Sequence, residues 1–401
     1  MIEGKLKVNA LSRLLSLPEA EKDELGLAHT PAEIAQQPAT WQSTFELFRR
    51  RRSEILDFLA TAGLGSDPAQ RPTVFLIGAG TSDYIGQSLA YLLRKLWHCD
   101  VLSVPSTDLL THMEELVPSR KCLWVSFSRS GDSPEGVATL EWAYQKRPDI
   151  HHLLVSCNAK GKMLRESGGN PNALGICLDD AVNDRGLAMT SSFSNMVVFG
   201  QCLAHADDLG RYEEVFTQLV KSGESLLANA PDCAAALAKG PYAKACFVGS
   251  GALRAVAREC ALKSLELTAG QVLTMSESSL GLRHGPMAAL HEDTLFVCFL
   301  SGNRRVQGFE RDLLDEIGQK RLVRARIVVA GSEMSAKNAC AEYCLAPPAP
   351  IAVADDYRPP VDVIFGQLLG LFLSLRYNLR PDCPSPSGAI NRVVQNVTIH
   401  Q

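Results

Sequence analysis

Aromatic side chains make up only 6% of the 401 residues, and no apolar run reaches the ~18–20 residues that a bilayer span requires. The most apolar segment, Val363 to Leu375, is interrupted by Gln367 and reads as a core helix. Neither sign of charge dominates. Forty basic against forty-four acidic residues leave a formal charge of −4, which supplies no footprint for a nucleic-acid backbone or an anionic membrane. Neither partner is expected, so an anionic small ligand has to be held by local groups. The twelve cysteines show no paired spacing, and Cys340 and Cys344, the closest two, lack a histidine or further cysteine at zinc-site spacing. Buried thiols and no structural metal are the expectation. Met1 to Ala10 has no apolar core of a secretion signal, which with the cysteine usage points to a reducing cytoplasm. Nucleotide motifs are also missing. No Gly-Lys-Ser or Gly-Lys-Thr occurs, Gly78-Ala-Gly80 is followed by Asp83 where a dinucleotide fingerprint needs glycine, and Gly249-Ser-Gly251 is followed by Arg254. No cofactor is expected.

What is present is ordinary globular composition, 46% hydrophobic and 21% charged. The length exceeds the ~250–300 residues at which single cores stop growing, which favours two domains or one duplicated domain. Residues 1 to about 70 read as helical. Thr30, Pro31 and Glu33 suggest a capping-box start, and Trp41, Phe45, Phe48, Ile55 and Leu59 recur at helical spacing. Arg49 to Arg52 read as a solvated face of that pattern.

From Thr73 the texture changes to short aliphatic runs, each followed by a glycine or serine loop and a helical pattern, as in an α/β parallel sheet. Strands are expected at Thr73–Ile77, Val101–Val104, Cys122–Phe127, Leu153–Ser156 and Leu174–Leu178, with helices after Ser82, Ser106 and Ser133. Gly210 to Pro241 is mostly helical. A second set follows at Ala245–Val248, Leu295–Leu300 and Ala325–Val329, then a long helix after Pro360. Phe75-Leu-Ile-Gly-Ala-Gly-Thr-Ser and Phe247-Val-Gly-Ser-Gly-Ala echo one another, so two related units are expected. The boundaries fall at 1–70 for the helical segment, 71–215 and 216–380 for the two units, and 381–401 for a tail expected to close over the active site.

The echo is unequal. Ser126-Phe-Ser-Arg-Ser-Gly-Asp-Ser faces Phe299-Leu-Ser-Gly-Asn-Arg, where most hydroxyls are gone. In the first half Ser128 to Ser133 follow a buried strand, and Pro134 opens the next helix, so exposed amides and serine hydroxyls suit a phosphomonoester. Serine and glycine after a strand also serve as plain caps and turns. The Gly80-Thr81-Ser82 loop shifts the balance, because both loops would open at the carboxyl edge of one sheet. In the second half, Glu266 near the end of a helix from about Ala252, Glu277, and Arg283-His284-Gly285-Pro286 after a short helical pattern are acid–base candidates. From spacing alone, Glu266 and His284 read more simply as capped or salt-bridged groups.

Together, Gly-Thr-Ser, Ser-Arg-Ser-Gly-Asp-Ser, Leu-Lys-Ser-Leu-Glu-Leu and Arg-His-Gly-Pro resemble the double sugar-isomerase (SIS) family from about residue 45 onward. The pattern is nearest to tagatose-6-phosphate ketose/aldose isomerases, among them galactosamine-6-phosphate deaminases, and more distantly to the isomerase domain of glucosamine-6-phosphate synthase. The resemblance implies two SIS-type, flavodoxin-like three-layer αβα subdomains. It implies that Ser82, Ser128, Arg129, Ser130 and Ser133 hold a sugar phosphate, with Leu187, Ala188, Met189 and Thr190 lining the sugar and Thr81 and Gln395 among the substrate-binding residues. Glu266 would move a proton between C1 and C2. His284 would open the ring, reaching a neighbouring subunit's site in a homodimer or larger assembly with shared active sites. Where the synthase has a Schiff-base lysine this chain has Gln395, which fits release of nitrogen from a 2-amino sugar. Conversion of galactosamine 6-phosphate to tagatose 6-phosphate and ammonia is the expected activity. Isomerisation without deamination, deamination of glucosamine 6-phosphate, and a non-catalytic phosphosugar sensor are the alternatives.

Overall fold

Aliphatic runs that alternate with amphipathic helices have one economical solution, a parallel sheet covered on both faces. The computed structural model of the chain describes residues 8–394 and 397–400 and contains two such sheets. The first is built from β1 (Thr73–Gly78), β2 (Val101–Pro105), β3 (Cys122–Ser128), β4 (His151–Ser156) and β5 (Ala173–Cys177) in the order β2-β1-β3-β4-β5. The second is built from β6 (Lys244–Gly249), β7 (Leu273–Ser278), β8 (Thr294–Leu300), β9 (Ala325–Ala330) and β10 (Tyr343–Leu345) in the order β7-β6-β8-β9-β10. Every pairing is parallel. Both sheets therefore have the expected flavodoxin-like order, and each has its switch point between its first and third strands.

The chain divides into two compact units. One holds the first sheet and comprises Ala39–Asp184, Ser191–Glu214 and Ile390–Gln401. The other holds the second sheet and comprises Met1–Pro38, Arg185–Thr190 and Val215–Ala389. Phe75, Ile77, Leu109, Met113 and Trp124 pack one core of the first sheet, and Cys246, Val248, Phe296, Cys298, Leu313 and Ile317 a core of the second.

The eight expected strands are present within one or two residues at each end. Two more were not foreseen, and both lie at sheet edges. β7, Leu-Thr-Met-Ser-Glu-Ser, stands where a short helical pattern was expected before Arg283, and only a single 3-10 turn, Gly281–Arg283, follows it. An edge strand is not buried on both faces, so polar residues suffice, and its first residue Leu273 is 63% exposed. β10 has only three residues.

The capping box at Thr30 is also corrected. Thr30 lies inside the helix Thr30–Ala35, and its hydroxyl donates to Asp382 Oδ1 at 2.6 Å. Asp382 also accepts the backbone N–H groups of His29 at 3.0 Å and Thr30 at 2.7 Å, so the cap is supplied from the far end of the chain. Glu33 turns instead to the backbone N–H groups of Arg185 and Gly186. The solvated face at 49–52 is correct for Arg49 and in error for Arg52. Arg49 pairs with Glu46, whereas Arg52 donates to the carbonyls of Ala206 and Asp207, each at 2.7 Å, just beyond the helix Ser191–Ala204.

One histidine in the first unit makes stability depend on pH. His152 on β4 is fully buried and stands edge-on to Trp124 and Tyr144, with ring centroids 5.4 and 5.0 Å away. Neither ring nitrogen has a hydrogen-bond partner among the described residues. Burial pushes its pKa down to about 3, so the native state holds the ring neutral. The unfolded chain takes up the proton below the ordinary histidine value of ~6.5. This contribution is complete above that pH and is lost at about 1.4 kcal/mol per unit as pH falls toward the folded value. His152→Phe keeps the aromatic contacts and removes the proton. Chemical denaturation at pH 6.5 and pH 5 is expected to show a loss roughly 2 kcal/mol smaller in the variant than in the parent. Equal losses would remove His152 from the acid response.

Candidate active site

In the first unit, the site begins where β1 meets the helix Thr81–Trp97. A side chain at Gly78 would lie 2.3 Å from the backbone of Ser82, and Gly80 takes a left-handed φ of 56°. Only glycines permit this turn, which leaves Thr81 and Ser82 at the start of the helix. The turn after β6 has the same form, with Gly249 against Leu253 and Gly251 at φ 59°.

The second loop, Ser128 to Ser133, is shaped from behind. The last residue of β4 and those after it donate to three consecutive carbonyls. Ser156 Oγ and Cys157 N–H reach Arg129 O, each at 3.3 Å. Asn158 Nδ2 reaches Ser130 O at 2.8 Å, and Met163 N–H reaches Gly131 O at 3.0 Å. Ser128 and Ser130 are buried, and their hydroxyls accept the N–H groups of Gly131 at 3.0 Å and Asp132 at 3.1 Å. A hydroxyl that accepts still has its own O–H to donate. Ser133 is the N-cap of the helix Pro134–Lys146, yet its hydroxyl makes no capping bond. The loop thus brings together hydroxyls, backbone donors and the positive end of a helix. Arg129 is buried, and its guanidinium donates to the carbonyl of Arg392 in the tail. Arg392 in turn binds Asp184 O and Asn183 Oδ1, each at 2.7 Å.

In the second unit, Glu266 stands one residue before the end of the helix Ala252–Leu267 and keeps 21% side-chain exposure. Its Oε2 accepts from Lys263 Nζ at 2.7 Å, and the same ammonium lies 3.3 Å from Glu259. Lys263 and Glu259 have no exposed side-chain surface. Burial works against the Lys263 charge, but the two carboxylates outweigh it and hold its pKa above the ordinary lysine value. The arrangement presents a carboxylate at an accessible helix end, backed by a cation that solvent cannot reach. Lys263 was part of the quoted motif but received no role. Its signal was the Glu-x₃-Lys-x₂-Glu spacing, which puts all three on one helix face.

His284 closes the 3-10 turn Gly281–Arg283 and is exposed, while the neighbouring Arg283 pairs with Glu316 at 3.0 Å. Glu277, the further acid–base candidate, is instead in an ion pair with Arg254 at 2.9 Å. Met189 is partly buried and Thr190 fully so, with Thr190 O accepting from Gln367 Nε2 at 3.3 Å. Gln395 lies outside the described residues. Among the described residues no cluster of histidine, cysteine, aspartate and glutamate has the form of a metal site, and no helix is long and apolar enough to cross a membrane.

No family model matches the chain. Individual relatives do. The AgaS protein of Streptomyces coelicolor is 37% identical over 375 residues, spanning 93% of this chain and 95% of its own. The D-galactosamine-6-phosphate deaminase AgaS of Escherichia coli is 33% identical over 376 residues, 92% of this chain and 95% of its own. Among solved structures, the tagatose-6-phosphate ketose/aldose isomerase of Escherichia coli superposes with a TM-score of 0.82 at 30% identity, covering 93% of this chain and 96% of that one. Near-complete coverage on both sides, two sheets of the same strand order and the serine loop of the first sheet lead to one conclusion: the chain is a double-SIS protein of the AgaS family.

Proposed function

We propose that the chain deaminates galactosamine 6-phosphate to tagatose 6-phosphate and ammonia. The observation that carries this reading is the Glu266 carboxylate, accessible at a helix end and backed by a buried ammonium, in a chain related over most of its length to galactosamine-6-phosphate deaminases. Ser82, Ser128, Ser130 and Ser133, with Thr81 and Arg129 beside them, hold the phosphate by hydroxyls, a helix end and one guanidinium. Leu187, Ala188, Met189 and Thr190 line the sugar. The tail's Arg392, tied to Arg129, supports a cover over the phosphate loop.

His284 shifts a proton between O5 and O1 to open the ring. Glu266 then removes the C2 proton of the aldehyde form while the C2 ammonium passes a proton to O1, leaving an enolamine across C1 and C2. Returning that proton to C1 gives a C2 ketimine. Water adds to C2 and ammonia leaves, so one water is consumed and no electrons are exchanged with a cofactor. The exposure of His284 in a single chain supports its delivery to a neighbouring subunit's site in a homodimer or larger assembly.

A second reading, isomerisation without loss of nitrogen, is favoured by the likeness to the Escherichia coli isomerase. Purified protein is expected to release ammonia and an equal amount of ketose phosphate from galactosamine 6-phosphate, and to do so faster than from glucosamine 6-phosphate. Interconversion of tagatose and galactose 6-phosphates, with no ammonia from either amino sugar, would transfer the assignment to the isomerase.

A further inference from the structure

The second sheet has a switch point like the first, and the groups around it are already bound. β6 runs into Ser250, β7 into Ser279, and β8 into Ser301-Gly302-Asn303 at the start of the helix Arg304–Gln319. Three donors from these three strand ends converge on one acceptor. Glu310, one and a half turns into that helix and fully buried, places Oε1 2.7 Å from Ser250 Oγ and 3.2 Å from Ser279 Oγ. Its Oε2 accepts the backbone N–H of Ser301 at 2.7 Å. Asp355 takes the rest of the loop, receiving Ser301 Oγ at 2.5 Å and Gly302 N–H at 2.9 Å. Asn303 Oδ1 occupies the first amides of the helix, those of Arg305 and Val306. Hydroxyls and amides gathered at a switch point are what an anionic ligand receives in this class of fold. Here a side chain receives them.

We propose that this crevice is a self-ligated oxyanion cradle, in which the Glu310 carboxylate holds the place of a bound anion and which accepts a small free carboxylate once that side chain is shortened. The second sheet then offers no open anion site of its own, and a sugar phosphate meets an intact cradle only at the serine loop of the first sheet. This second consequence rests on the phosphosugar reading above, whereas the cradle does not.

Glu310→Ala removes a fragment with the shape of acetate, so acetate itself is the probe. Unfolding temperature is measured for the parent, Glu310→Ala and Glu310→Gln with increasing sodium acetate, against sodium chloride of equal ionic strength and against acetamide. Expected is a lowered unfolding temperature for Glu310→Ala that acetate raises in a saturable, concentration-dependent way, while chloride and acetamide do not. The parent and Glu310→Gln, whose space is filled, gain no such response. If Glu310→Ala stays unfolded alone, the same comparison is read as refolding yield from denaturant. The proposal is overturned if acetate leaves Glu310→Ala unmoved in the applicable readout, if it moves all three proteins alike, or if acetamide serves as well. None of these readouts uses a sugar phosphate, so failure of the cradle and failure of the proposed activity are told apart.

Discussion

Replacing Glu266 by glutamine is expected to lower kcat for galactosamine 6-phosphate by roughly 10²–10⁴-fold while leaving substrate binding nearly unchanged. The carboxamide has the shape of the carboxylate and can still accept from Lys263 through its oxygen, so the helix end and its buried partners stay in place. It cannot take a proton from C2. Because the phosphate is bound by the first sheet's loops in the proposed site, calorimetric affinity for a non-reacting sugar phosphate should stay within a few-fold of the parent. Incubation in heavy water supplies a second readout. A variant that cannot lift the C2 proton should also fail to exchange it with solvent. Turnover above roughly a tenth of the parent would remove Glu266 from the proton-transfer role.

Lys263→Met is expected to cost about 3–5 kcal/mol of stability, the penalty for leaving a buried charge without its partner. The ammonium lies between Glu259 and Glu266, and its removal leaves two like charges two turns apart on one helix face. Glu266 can turn toward solvent through its exposed edge. Glu259 has no exposed surface, so water cannot replace the contact it loses. Urea denaturation at neutral pH reads the loss. Adding Glu259→Leu should recover much of the loss, because a buried ion pair replaced by apolar groups is often neutral in cost. If Lys263→Met alone is as stable as the parent at neutral pH, the helix does not depend on its internal cation.

What could be read from the sequence was local. β1, β3, β4, β6, β8 and β9 are central strands buried on both faces, so each announces itself as an aliphatic run ended by glycine or serine. Edge strands β2 and β5 keep aliphatic runs and were also found, whereas β7, rich in polar residues, and β10, only three residues long, were not. The serine loop was legible for the same reason, since its donors are neighbours in sequence. Bonds across long separations were not. Ser250 meets Glu310 across 60 residues, and Thr30 meets Asp382 across 352. A threonine followed by a glutamate three residues later satisfies the capping-box pattern whether or not a better acceptor arrives from elsewhere. Here one arrives, and Glu33 is released to hold the turn that begins at Arg185. Lys263 is an intermediate case. Its helical spacing was visible, but a buried lysine is written no differently from an exposed one.

The Asp382 contact has a consequence for biosynthesis. The helix Thr30–Ala35 leaves the ribosome long before its closing carboxylate, which is translated 352 residues after Thr30. Until then His29 and Thr30 offer their amides to water, and the amino-terminal helices cannot reach their final free energy. Nascent chains arrested before residue 382 should therefore be cleaved by protease in this region, and full-length chains protected.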